Sequence, residues 1–248
     1  MKLKNLLLAG LTSSALLAAG AQAASFSDVA FDPGEYLGID AGQIENFESY
    51  TAGTWDESTV TNVGTFTALE NSGTGSGSTC NTLAGGQCTE LYLSDRDING
   101  QGNITPTNGT NALQANDTFG MIWNASLEGL VSFNEILFGI RDAADQGATV
   151  TISLLSTNGN ELAVPVTTTL TGLSNSEQRL VTLSLMQEVT SATLSIVSSR
   201  VNDSFTFDGG ALTLDLNRIS QVPLPAAAWL FLSVLGGAGI LRRAKAKA

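Results

Sequence analysis

The 248-residue chain has no histidine, only two cysteines, few aromatic residues (6%) and very little basic charge between its ends. Without imidazole there is no histidine general base, no serine or cysteine triad that depends on one, and no usual transition-metal ligand. Lysine is missing from the whole stretch between residues 24 and 221, whose only basic residues are Arg96, Arg141, Arg179, Arg200 and Arg218. All 23 acidic residues fall in that same stretch, so five arginines stand against 23 acids, a balance of −18. Such a field repels nucleic acid and other polyanions, which excludes them as partners. An enzyme built from these parts would have to work with carboxylates alone, as many glycosidases do. Acids are plentiful here, but no pattern sets two of them across a cleft, and the expectation is a non-enzymatic protein.

What the ends contain is more specific. Lys2 and Lys4 precede an apolar run from Leu6 to Ala19, followed by Ala21-Gln22-Ala23, a small-x-small pattern that signal peptidase cuts after. Residues 1–23 are therefore expected to be a signal peptide, helical in the precursor, with the mature chain starting at Ala24. Export places Cys80 and Cys88 in an oxidising compartment, and their even count and closeness predict a local disulfide. Closing so short a loop stabilises by roughly 2–3 kcal/mol in the chain-entropy model. The adjoining run 71–79, nearly all Ser, Thr and Gly, has nothing with which to build a core and is expected to be a loop.

Near the other end, Val222-Pro223-Leu224-Pro225-Ala226 is followed by an apolar run from Ala227 to Leu241, a Gly-rich cluster at 236–239, Arg242-Arg243, Lys245 and Lys247. The run is short for a membrane span, but Trp229 and the prolines suit an interface, and the basic end should stay cytoplasmic. This tail resembles the PEP-CTERM group of bacterial sorting signals, in its VPLPA-CTERM variant. The resemblance covers about the last tenth of the chain. It implies recognition of residues 222–248 by an exosortase, an inner-membrane-tethered precursor, cleavage near the motif, and delivery to the cell surface or an extracellular matrix rich in exopolysaccharide.

Residues 24–221 read as one all-β domain. Apolar residues alternate through Thr149 to Leu154, Thr193 to Ile196 and Ala211 to Leu216. Further strands are expected in Ile44 to Tyr50, Val60 to Leu69, Glu90 to Leu93, Phe119 to Trp123, Ile136 to Ile140, Glu161 to Leu170, Arg179 to Leu185 and Ser204 to Phe207. No stretch shows a helical stripe. Short strands at this spacing predict two packed antiparallel sheets, a jelly-roll-like β-sandwich whose first sheet takes strands from both ends of the domain. The opening Ile44–Tyr50 and closing Asn202–Asp208 stretches are loosely similar to carbohydrate-binding jelly rolls, which implies that the first and last strands are neighbours.

Three sites are expected in this domain. Asp95-Arg96-Asp97-Ile98-Asn99-Gly100-Gln101 carries oxygen ligands at alternate positions and a Gly at the sixth, a spacing that suits calcium, with Asp95, Asp97, Asn99 and Gln101 as ligands. The Asn99-Gly100 pair also suits a plain hairpin turn. Glu45 or Glu48, set against Asp203 and Asp208, would form a second calcium site if the terminal strands lie side by side. Trp55, in a polar stretch, is the candidate aromatic platform for a sugar, whereas Trp123, sharing a face with Phe119 and Met121, reads as core. Tyr36, Tyr50 and Tyr92 are further aromatic candidates, and the Thr and Ser faces of the strands offer hydroxyl contacts. The function expected is an exported surface or matrix protein that binds polysaccharide and calcium; the alternatives are a carboxylate-dependent glycosidase acting on matrix polysaccharide and a purely structural or adhesive matrix subunit.

Overall fold

Residues 24–36, 39, 43–69, 90–97, 101–105, 109–115, 118–145, 147–200 and 205–214 are described by a computed structural model. Residues 1–23, the 71–79 run, Cys80, Cys88, Asn99, Asp203 and the tail from Val222 through Pro223, Leu224, Pro225 and Ala226 to Ala248 lie outside them. Among the described residues no helix is long and apolar enough to cross a membrane.

The period-two alternation builds two antiparallel sheets. The larger contains β1 (Ala24–Ala30), β2 (Ile44–Glu45), β3 (Gly53–Thr54), β5 (Tyr92–Ser94), β6 (Ala112–Gln114), β8 (Phe133–Arg141), β11 (Gln178–Val189) and β13 (Thr206–Thr213). Its order is β1-β11-β8-β13-β6-β5-β3, with β2 also pairing β13. The smaller contains β4 (Gly64–Ala68), β7 (Gly120–Ser126), β9 (Thr149–Thr157), β10 (Asn160–Thr171) and β12 (Ser191–Ser198), in the order β10-β9-β12-β7-β4. The antiparallel sandwich expected from the sequence is therefore present, and the larger sheet does take strands from both ends of the domain. The opening stretch at Ile44 does neighbour the last strand, with Glu45 opposite Gly210 and Ile44 opposite Ala211.

Several boundaries differ from expectation for local reasons. Ile44 to Tyr50 keeps only two strand residues, because Phe47 takes a left-handed φ of 58° and turns the chain. Holding a bulky residue there costs about 1–2 kcal/mol, offset by a ring with no solvent exposure, edge-on to Trp55 and Phe207. Phe207 and the start of the expected 211–216 strand, as far as Thr213, belong to one strand, β13, whose Gly209 (φ 61°) and Gly210 form a bulge where the register to β8 shifts. The core between the sheets centres on Trp123, Phe66, Phe138 and Phe207, with ring centroids 5.1–6.0 Å apart. Each fully buried aromatic or aliphatic side chain here contributes roughly 1.5–3 kcal/mol.

Candidate functional site

The two outer faces of the sandwich differ in kind. That of the larger sheet is covered over β8 and β13. Phe31, Tyr36, Ile39 and Ile44 pack on Leu137, Leu180 and Ala211, and residues 101–105 lie across β8 and β13. Gly139 permits the second contact, since a Cβ there would stand 2.9 Å from Ile104 Cγ2. The cover is tied down by acids. Asp208, fully buried, accepts at Oδ2 from Ile104 N and Thr105 N (both 2.8 Å) and from Asn103 Nδ2 (3.3 Å), and at Oδ1 from Gly209 N. Glu48 Oε1 accepts from Thr110 N and Asn111 N, both at 2.8 Å. Burial, ahead of the N–H donors that oppose it, pushes the Asp208 carboxyl well above the usual carboxylate range, and the Glu48 charge adds to the rise. Burial and then the Asp208 charge raise the Tyr36 phenol as well.

Of the calcium ligands expected at 95–101, Asp95, Asp97 and Gln101 are described and Asn99 is not. Asp95 is exposed, and Asp97 Oδ2 lies 2.8 Å from Arg141 Nη2, so a guanidinium already stands where a cation would be wanted. Gln101 is buried, its carbonyl accepting from Gln114 Nε2 at 2.6 Å. Its side chain bonds Asp142, whose carboxyl burial raises. The acids of the second expected site do meet, through Glu48 and Asp208, but their oxygens face backbone N–H groups. Glu45 turns the other way, accepting from Phe47 N and Asn62 N. Among the described residues no three acidic or cysteine side chains are grouped as a metal site.

Trp55 is corrected from exposed platform to core residue. It is 5% exposed, packs edge-on to Phe47 and Tyr50, and donates Nε1 to Phe66 O at 3.2 Å. Its polar neighbours Asp56 and Glu57 disguised the direction of the ring. Trp123 is in the core as expected, but Phe119 is not: at 40% exposure it stands at the head of β7, because Gly120 at φ 135° breaks the alternation between them.

Among the described residues no segment folds over the outer face of the smaller sheet, which is almost free of charge. Its strands contain one ionisable side chain of the Asp, Glu, Lys or Arg kind, Glu161 at the start of β10. Register sets the outward residues in rows across the strands. One runs Thr67, Ile122, Ser195, Ser153, Thr167, with both serines buried between their neighbours; the next runs Thr65, Asn124, Thr193, Ser156, Glu161; a third holds Val197, Thr151 and Thr169. Thr193 Oγ1 donates to Asn124 Oδ1 at 3.2 Å, and the Thr151 and Thr169 hydroxyls lie 3.5 Å apart. A hydroxyl both donates and accepts, so these rows match any partner whose own surface is hydroxyl.

No family model and no curated protein matches the chain. Among solved structures it is similar to the C-terminal family 22 carbohydrate binding module of Clostridium thermocellum Xyn10B, with 16% identity over 71% of this chain and 96% of that one, at a TM-score of 0.34. It is also similar to the CBM22-1 xylan-binding domain from Paenibacillus barcinonensis Xyn10C, with 14% identity over 71% and 97% and a TM-score of 0.35. A third, TmCBM61 in complex with β-1,4-galactotriose, is 12% identical over 50% of this chain and 82% of that one, at a TM-score of 0.25. At such identities and scores these likenesses say nothing of what this chain binds.

Proposed function

We propose that this is an exported, non-enzymatic surface protein that binds neutral polysaccharide on the outer face of its five-stranded sheet. The hydroxyl rows of that face, with Glu161 their one charge in a domain at −18, carry the proposal. A neutral glycan presents hydroxyls at a repeat comparable with the strand spacing of about 4.8 Å, so an extended chain laid across the strands meets a new row-mate at each step. Phe119, at the β7 end, supplies the exposed aromatic surface that Trp55 does not. Each hydroxyl contact is worth only about 0.5–1.5 kcal/mol net, which puts a single domain at roughly millimolar affinity. Delivery belongs to the same proposal: signal peptidase removes 1–23, and an exosortase recognises the 222–248 tail and releases the body from the inner membrane.

Affinity electrophoresis through gels containing neutral and acidic polysaccharides tests it. The protein is expected to be retarded by a neutral glycan and not by an acidic one, with retardation lost in a Thr151→Val/Thr169→Val/Thr193→Val variant and no reducing sugar released. Free migration in every gel, or reducing-sugar release lost on Asp or Glu substitution, would replace binding by the structural or the glycosidase alternative.

A further inference from the structure

The four lateral edges of the two sheets are not equally protected. On one side of the smaller sheet, β4 ends in a set of side-chain and turn caps: Ala68 N donates to Glu57 Oε1 at 2.6 Å, Phe66 O accepts from Trp55 Nε1, and Gly64 O accepts from Thr61 N and Thr61 Oγ1, both at 2.8 Å. On its other side, β10 carries Pro165 within a register break between Glu161 and Val166. The larger sheet ends on one side in β3, two residues long. Proline, irregularity, brevity and capping are the devices by which sheets avoid pairing with other chains.

The fourth edge, β1, has none of them. It is seven residues long, regular, free of proline and lysine, and pairs β11 without a break from Ala24 opposite Leu185 to Ala30 opposite Arg179. Phe31 N bonds Gln178 O, so antiparallel alternation turns the N–H and C=O groups of Ser25, Ser27 and Val29 toward β11. Those of Ala24, Phe26, Asp28 and Ala30 point away, and among the described residues nothing bonds to them. Apolar surface is concentrated on this flank, with Val29 of β1 50% exposed, Met186 of β11 55% and Val164 of the adjacent β10 78%. Charge is compensated there too: the single acid of β1, Asp28, has Arg179 at 3.8 Å, and Arg179 also bonds Glu177.

We propose that β1 is the interface through which two copies of this chain associate, by antiparallel pairing of β1 with β1 about a two-fold axis. The outward groups fix the register. Ala24 pairs with Ala30 of the second copy and Phe26 with Asp28, while Ser27 faces its own counterpart on the axis in a non-hydrogen-bonded position. Asp28 never faces Asp28 in this register, so on this compensated flank two strongly acidic bodies meet without opposing like charges directly.

The register supplies the test, made on the full-length chain in mild detergent. Light scattering after size exclusion should give twice the chain mass for the unaltered protein. Ser27→Lys, which places like charges opposite each other but leaves an exposed side chain and the β11 ladder intact, should give the chain mass alone. Asp28→Pro, which removes an outward N–H, should do the same, with circular dichroism unchanged in both. Ser27→Cys should form a covalent dimer on mild oxidation, since a non-hydrogen-bonded antiparallel pair has its Cα atoms about 4.5 Å apart, within disulfide range. Chain mass for the unaltered protein, a dimer indifferent to Ser27→Lys and Asp28→Pro, or no cross-link through residue 27 would overturn the proposal.

Discussion

The two sheets share a core and an alternation, yet their outer faces have opposite fates. The larger sheet sets Asp208, Arg141 and Gln114 outward, and each of those polar groups demands a partner. The chain supplies partners from residues 101–105, which lie back over it. The smaller sheet sets Thr, Ser and Asn outward, which water or a ligand satisfies equally well, and no described segment folds over it. A polar side chain that must be buried recruits cover, whereas one that is content in water leaves a surface free for binding.

Breaking the cover should have the largest effect. Asp208→Ala strands the buried N–H groups of Ile104, Thr105 and Gly209, and should cost about 3–5 kcal/mol in urea denaturation, with amide exchange at 104 and 105 accelerating. Gly139→Ala pushes a methyl into Ile104 and should cost about 1–3 kcal/mol by the same measurement, leaving glycan retention unchanged.

Acidity sharpens the same contrast. Burial raises the carboxyls of Glu45, Asp142 and Asp208 in the folded state. The native protein therefore binds protons that the unfolded chain releases, and stability rises as pH falls from neutrality toward the ordinary carboxylate range, below which the gain saturates. Tm by calorimetry should be higher at pH 5 than at pH 7.5, and replacing Asp208 should flatten the slope. Asp56, lowered by the Ser58 hydroxyl, and Glu177, lowered by Ser174 N–H, act in the opposite sense, Asp56 in the open and Glu177 partly shielded beside Arg179. The smallest effect on stability belongs to the bare face, where Thr151→Val and Thr169→Val should each stay within about 0.5 kcal/mol while weakening retention in a neutral glycan gel.

Alternation made the long strands legible, and with them the sandwich and the hydroxyl rows: β9 and β12 lie where Thr149–Leu154 and Thr193–Ile196 place them. Short strands such as β6 hold too few residues to show a period, and β1, whose sequence Ala24–Ala30 has no clear alternation of polar and apolar residues, shows only the start of the mature chain. The cover was illegible for a different reason. Arg141 meets Asp97 from 44 positions away, and spacing along the chain carries no trace of that. Local composition pointed the wrong way at Trp55, whose indole found an acceptor in Phe66 O, and at Phe119, where one glycine reset the phase.

The capping of β4 by Trp55, Glu57 and Thr61 has a consequence for assembly. Edge pairing propagates only when a molecule offers two sticky sides, since each added copy must present a fresh one. With β4 capped, β10 interrupted and β3 two residues long, a pair joined at β1 has used the one open edge among the described strands, and the association terminates at two instead of growing into a fibre.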